Sequence, residues 1–415
     1  MVQSPCRTAW MAVVLVLFVA PPTLVAQDVP EMGVPAINAF ARGMELYAQG
    51  NNVGAMERFL EAHEHDPSFA VALFHAGLAA GNAGRAAVVD SAWAILEEQK
   101  GQLSPYYLYR FESQKAQRQG DRGAAIAFSR MAVAESPRSK AAYNLAFQLN
   151  GIGRVREARD VLLELGHETE PMRNYTSYYT QLTGSHHWLG DYDEALAVAR
   201  VHEERFPENW APLWNQARAL GAAGRTAELE EVFRKAEGRQ AAGGANNVGS
   251  LMAGAGMELL GHGHEDEGRA VLRRADEWMS AQSSLNPAIR NWHMFALSGL
   301  GEWDDAHAVA TGLVADVPAN PWYHAAQAMT AAQTGDRAAA EEGLRWLEER
   351  GASTPTNPAF SGYILHAMGE DDDAVRAFED ALAQGWTYNS WWHVDPVLVD
   401  LRARPDFQAF LDPNR

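Results

Sequence analysis

Cysteine is all but missing. The one copy, Cys6, stands ahead of an apolar run. Disulfide staples, thiolate metal sites and cysteine nucleophiles are therefore excluded from everything that follows it. Positive charge is also scarce, with 34 Lys and Arg against 53 Asp and Glu and a formal net charge of −19. That balance argues against nucleic acid, which needs clustered Lys and Arg, and against adhesion to anionic lipid. It favours solubility and basic partners. The signatures of several chemistries are absent as well. There is no HExxH zinc helix and no GxSxG elbow, and Ser250 and Ser361 lie beside glycine without the strand an elbow requires. Gly151-Ile152-Gly153 joins two helical stretches rather than a strand and a helix, so it reads as a turn and not a nucleotide loop.

The N-terminus has the pattern of an export leader. Arg7 precedes the apolar core Ala9 to Ala20, Pro21-Pro22 breaks it, and Leu24-Val25-Ala26 offers a small residue at a cleavage point before Gln27. Twelve apolar residues are too few to span a bilayer comfortably. Cleavage is the favoured reading, with an uncleaved anchor extended through Thr23 to Ala26 as its alternative. Cleavage removes Arg7 and no acid, so 33 basic residues then face 53 acidic ones, a net −20. The mature chain has no cysteine and, on this reading, no integral membrane span.

What is present in abundance is one phrase. Gly190-Asp191-Tyr192-Asp193-Glu194-Ala195 opens an amphipathic run closed by Pro207, and it returns from Gly50, Gly84, Gly120, Gly153, Gly224, Gly301, Gly335 and Gly369. A longer copy, Gly261 to Ala270, fills the remaining gap. The ten anchor positions are 55, 89, 125, 158, 195, 229, 270, 306, 340 and 374, in steps of 33 to 41 residues. A period of this size predicts a solenoid of helical hairpins, each unit burying its apolar face on its neighbours. The expected organisation is a leader over 1–26, a lead-in over 27–35, hairpins one to six over 36–237, a glycine-rich stretch over 238–256, hairpins seven to ten over 257–385, and an aromatic cap over 386–415. Six glycines from Gly238 to Gly256 predict a loop and a poorly specified helix, a candidate hinge. The alternative is that they let two helices approach closely.

Measured from each anchor, a small residue stands twelve earlier (Gly43, Gly77, Ser113, Ala146, Ala217, Ala328, Gly362). A large apolar one stands four later (Phe59, Trp93, Leu162, Phe233, Leu344, Phe378), and proline twelve later (Pro67, Pro137, Pro207, Pro318). This pattern resembles the tetratricopeptide repeat of exported bacterial proteins, with no fused catalytic module. Glu258 and Met294 depart from it at the small position, and Ser129 and Arg274 at the large one. The resemblance implies an all-α fold, a right-handed superhelical solenoid of about ten antiparallel helix pairs with a C-terminal capping segment. The tail residues Trp391, Trp392, His393, Asp395, Pro396, Leu401, Arg402, Pro405 and Phe407 are similar to a closing segment of such proteins.

No constellation reads as catalytic and no cofactor is implied. His63 and His65 are two apart on a helix and point about 200° away from each other, which defeats chelation. His186-His187 and His262-Gly263-His264 lack the three or four ligands a metal needs. Asp304-Asp305 and Asp371-Asp372-Asp373 stand where carboxylates cap helices. The resemblance implies a concave groove lined by first helices, and by register this points to Phe40, Phe74, Tyr107, Arg110, Lys140, Tyr143, Asn144, Trp214, Arg218 and Trp322, with Ile37 beside them. Rings and arginines together suit a peptide-binding surface. The function expected is a non-catalytic envelope scaffold that binds a protein segment. Glycan or small-ligand binding through the aromatics, and an all-helical hydrolase, are its rivals.

Overall fold

A computed structural model describes residues 33–412, apart from 171, 241–242 and 352–355; the leader and most of the lead-in lie outside the described residues. The repeated phrase becomes a series of helix pairs, and no strand occurs among the described residues. The chain divides into two compact units, the first ending at Leu108. In it α1 (Val34–Ala48) pairs with α2 (Asn52–His65), and α3 (Ala70–Asn82) with α4 (Ala86–Gln99). Helix α5 (Pro105–Arg118) crosses the division and is followed by α6 (Arg122–Glu135).

The second unit continues with α7 (Lys140–Gly151) and α8 (Val155–Leu165), α9 (Thr176–Trp188) and α10 (Tyr192–Arg205), then α11 (Ala211–Ala222) and α12 (Thr226–Glu237). Next come α13 (Val248–Gly261) and α14 (Glu265–Ser280), and α15 (Pro287–Leu300) and α16 (Trp303–Asp316). The last pairs are α17 (Pro321–Gln333) with α18 (Arg337–Gly351) and α19 (Pro358–Ala367) with α20 (Asp371–Ala383). Two 3-10 turns, Ser390–His393 and Pro396–Leu398, lead to the short helices α21 (Val399–Arg402) and α22 (Pro405–Leu411).

The glycine of the phrase earns its place at the turn. In nine of the ten pairs it takes the left-handed conformation, from φ +66° at Gly224 to +90° at Gly335, which other residues adopt only with strain. Caps start several helices: Asn51 Oδ1 accepts from the Gly54 amide and Asp121 Oδ1 from Ala124, while Asn286, Asn320 and Asn357 each precede a proline. The small and large positions then meet. A Cβ on Gly43 would lie 2.6 Å from Phe59, and one on Gly77 only 1.8 Å from Trp93 Nε1. Close crossing of the two helices is what the pattern encodes. Where Ser129 stands in place of a large residue, its hydroxyl meets Ser113 Oγ at 2.8 Å, and Gln148 Nε2 donates to Ser113 at 3.1 Å. A buried hydrogen-bonded chain replaces the ring.

The seventh pair corrects the register. The left-handed turn residue is Gly263, not Gly261, so the anchor is Gly268, which is buried, while Ala270 is exposed. Counting from Gly268, the small position falls on Gly256 and the large one on Leu272, and a Cβ on Gly256 would lie 2.6 Å from Leu272. Glu258 and Arg274 are thus not departures from the pattern. They stand outside it.

From Val248 the glycine-rich stretch is a closely packed helix. Helix α13 is capped by Asn247, and twelve of its fourteen residues are buried. Cβ atoms on Gly249, Gly254 and Gly256 would approach Trp278, Trp214 and Leu272 to 2.2, 2.6 and 2.6 Å. These glycines admit large side chains. Gly249→Ala is expected to destabilise the second unit by about 1–3 kcal/mol through overpacking against Trp278, although alanine is the better helix former by about 1 kcal/mol. Urea denaturation checks the sign; a slack hinge would be stabilised instead.

Candidate functional site

The predicted groove residues separate into core and surface. In the first unit Phe40, Phe74 and Tyr107 are buried. Phe40 packs edge-on or tilted against Phe59, Phe69 and His75, and Phe74 meets Tyr107 at a centroid distance of 5.8 Å. These rings hold successive helices together and present no free face, while Ile37 is exposed. In the second unit Arg110 and Tyr143 are also buried, and Asn144 is half-buried. The Lys140 amine lies 2.9 Å from the centroid of the Tyr175 ring and 4.5 Å from that of Tyr143. Burial and the neighbouring Arg110 push the amine down to about 6, whereas the ring faces favour its charged form. Trp214, Arg218 and Trp322 remain, all half-buried on the first helices of their pairs.

Of these, Trp214 meets Trp292, Trp322 meets Phe295, Phe360 and Tyr363, and Arg218 reaches the chain's own tail. Residues 385–398 run across the first helices of the second unit. The Tyr388 amide donates to the Gly151 carbonyl at 3.0 Å, and Arg122 donates to the carbonyls of Gly151 and Gly385. Farther along, Tyr388 stacks edge-on against Trp188, and Arg218 donates to Ser390 Oγ at 3.4 Å while its guanidinium lies over Trp391. Trp391 in turn meets Trp292, and a Cβ on Gly261 would lie 2.7 Å from the backbone of Val394. Trp392 of this segment also meets Phe378 of the final hairpin, where Phe407 and Phe410 pack on the same ring. The expected capping segment thus covers the last pair with α22, and the residues before it lie along the first helices of the second unit.

Under the tail lies a buried ionic cluster. Glu258 is wholly buried; its Oε1 accepts from Arg218 Nε at 2.6 Å and its Oε2 from His187 Nε2 at 3.0 Å. His262 Nδ1 lies 3.7 Å from the same Oε2 and 2.8 Å from the Glu258 carbonyl. Burial opposes the charge of Glu258, but His187 and the permanently charged guanidinium of Arg218 hold its carboxyl at about 2. His187 stays neutral, its pKa lowered chiefly by burial, and donates from Nε2. The adjacent His186 turns the other way, toward Asp191 at 3.5 Å. Among the described residues no group of three His, Cys, Asp and Glu is placed to hold a metal ion. One signal in the sequence pointed to this cluster: Glu258 is the only acid in Val248 to Gly261, a helix otherwise of apolar and small residues.

The tail is also tied by His393. Its Nε2 lies 2.5 Å from the Tyr388 hydroxyl, which donates to the Leu411 carbonyl at 2.9 Å. Burial, with His187 and Arg402 nearby, lowers its pKa to about 4. His202, packed on Tyr179 in the core, is lowered to about 4 by burial alone. A histidine whose folded pKa lies below its unfolded value of about 6.5 gives stability that is full above pH 6.5 and is lost as pH falls toward 4. Glu258 adds a second loss between about 4.5 and 2. Acidification from pH 7 to 4 is therefore expected to destabilise the second unit, by about 3 kcal/mol for the wholly buried His202 alone. Urea midpoints at pH 7, 5.5 and 4 read this directly, and His202→Gln should flatten the profile.

No family model matches the chain, and no curated protein does. Among solved structures it is similar to a tetratricopeptide repeat protein from Parabacteroides merdae ATCC 43184, at 14% identity and a TM-score of 0.36, covering 72% of this chain and 99% of that one. It is also similar to a chain in a structure of Naa15/Naa10 bound to HypK-THB, at 14% identity and a TM-score of 0.31, covering 84% of this chain and 58% of that one.

Proposed function

We propose that this chain is a non-catalytic interaction scaffold of the bacterial envelope, exported by its leader, and that the inner face of the second unit recognises an extended protein segment. The observation that carries the reading is the tail itself. Residues 385–398 are a peptide held on that face through main-chain carbonyls, a guanidinium and stacked rings. A surface that binds its own chain this way has the chemistry to bind another. An incoming segment would have to displace the tail, so affinity would be lowered by the fraction of molecules in which the tail is docked.

The test uses the tail as its own probe. In a Trp391→Ala, Val394→Ala variant the helices are untouched and the tail is weakened. A labelled synthetic peptide of residues 384–398 is expected to bind this variant saturably and to be rejected by the native chain. Absence of binding to both, with native circular dichroism, would remove peptide recognition from this face. N-terminal sequencing of the secreted or periplasmic product tests export, with Gln27 as the expected first residue. No helix among the described residues is long and apolar enough to cross a membrane.

A further inference from the structure

Between α15, α17, α19 and the tail lies a cavity of about 270 Å³. Seven aromatic rings line it, among them Trp292, Phe295, Trp322, Phe360 and Trp391. These five are only half-buried, unlike the core rings Phe59, Phe74, Phe233 and Phe378, whose exposure is at most 1%. Three asparagines share the lining, each from a different element. Asn291 Oδ1 accepts from Trp322 Nε1 at 2.8 Å, Asn357 Oδ1 from the Ala359 amide at 3.0 Å, and Asn389 Oδ1 from the Trp391 amide at 3.1 Å. Each amide oxygen is thereby committed to a neighbour. No described residue accepts from any of the three Nδ2 groups, so each amide keeps two N–H donors without a protein partner.

The carboxylate in the lining is already spoken for. Asp395 is buried, accepts from the Val397 amide at 3.0 Å and from the Tyr363 hydroxyl, and has Arg402 nearby. No other ionisable carboxylate, lysine or arginine lines the cavity. The site therefore offers ring faces and amide donors and lacks an available charge.

We propose that this cavity binds one neutral pyranose sugar unit. A pyranose has an apolar C–H face that lies flat on an indole and a rim of hydroxyl oxygens that accept from amide N–H groups, and the lining supplies both. The volume is near the lower end for small-molecule sites, roughly 300–1,000 Å³, which suits a single ring and excludes a peptide. A hydrocarbon would leave the donors of the half-buried Asn291 and Asn357 desolvated without partners, and so would a quaternary ammonium. Tail residues form one wall of the site, so it exists with the tail docked, and the sugar titration is made on the native chain while the peptide test uses the weakened tail. Each reading can fail without the other.

The experiment titrates the full mature chain with glucose, galactose and N-acetylglucosamine, with choline as the cationic probe, by calorimetry and tryptophan emission. Asn357→Asp is the informative variant, because the carboxylate preserves the cap on Ala359 while the N–H donors are lost. Saturable binding of at least one pyranose, weakened tenfold or more in Asn357→Asp, is the expected result. Three outcomes would overturn it: no saturable signal from any of the three sugars, sugar binding unchanged by Asn357→Asp, or saturation by choline in place of sugar. Asn389→Asp, on a different element, repeats the test should the first variant unfold.

Discussion

Glu258→Ala is expected to lower the stability of the second unit by about 3–5 kcal/mol, among the largest effects of any single substitution in the chain. The cost arises because the partners remain. Arg218 and His187 stay in a buried site where the carboxylate had neutralised one and oriented the other, and breaking a buried ion pair from one side strands a charge. Replacing both members distinguishes this from simple loss of packing. Glu258→Leu combined with Arg218→Met fills the space without a charge, and should recover a large part of the loss. Repeat arrays unfold in parts, so hydrogen exchange localised to α9, α11 and α13 is the preferred readout. A loss under about 1 kcal/mol would mean that water reaches the cluster.

Trp392→Ala is expected to cost a comparable 3–5 kcal/mol. The ring is only 2% exposed and meets Phe378, Tyr388 and Phe410 at centroid distances of 5.3 to 5.5 Å. It thus joins α20, the crossing segment and α22 in one core. Its removal should do more than soften the final hairpin. It should also release Tyr388 from Gly151 and raise proteolytic cleavage within 385–398. Destabilisation with the tail still protected would show that the crossing is held by Arg218 and Trp391 without help from the last pair.

Much of the fold was legible because the repeat is a steric rule. The phrase glycine must turn the chain, the residue twelve before the anchor must be small, and the one four after fills the gap, so Gly43 with Phe59 and Gly77 with Trp93 could be paired from spacing alone. The seventh pair was misread for an equally physical reason. Gly261 and Gly263 both offer a turn, but Gly261 ends α13 beneath Val394 while Gly263 takes the positive φ. Two residues of register followed from that choice, and Glu258 was set at a packing position it does not occupy. The glycines of α13 looked like weakness because local propensity counts each as a cost; the large residues that they admit come from α14 and α11.

The binding face was less legible still. A ring on a first helix can pack on the next first helix or face inward, and periodicity places both on one apolar side. Phe40, Phe74, Tyr107 and Tyr143 went into the core; Trp214, Arg218 and Trp322 did not. Nothing in the spacing of residues 386–398 disclosed that they cross the earlier helices as well as packing on the last pair. That contact joins positions more than 230 residues apart. It is visible only in three dimensions.

The near absence of cysteine makes the central claim simple to test. The Tyr388 amide bonds to Gly151, and a Cβ on Gly151 would lie 3.7 Å from Thr387 Cγ2. A side chain at 151 would thus touch the one at 387, and two cysteines there can be joined by oxidation. With Cys6 removed, by cleavage or as Cys6→Ser, Gly151→Cys and Thr387→Cys would be the only thiols. The tail crossing predicts a rapid, near-complete intramolecular bond on mild oxidation, located by digestion and mass spectrometry. Thiols that stay free, or that join only between molecules, would contradict a tail lodged on the inner face.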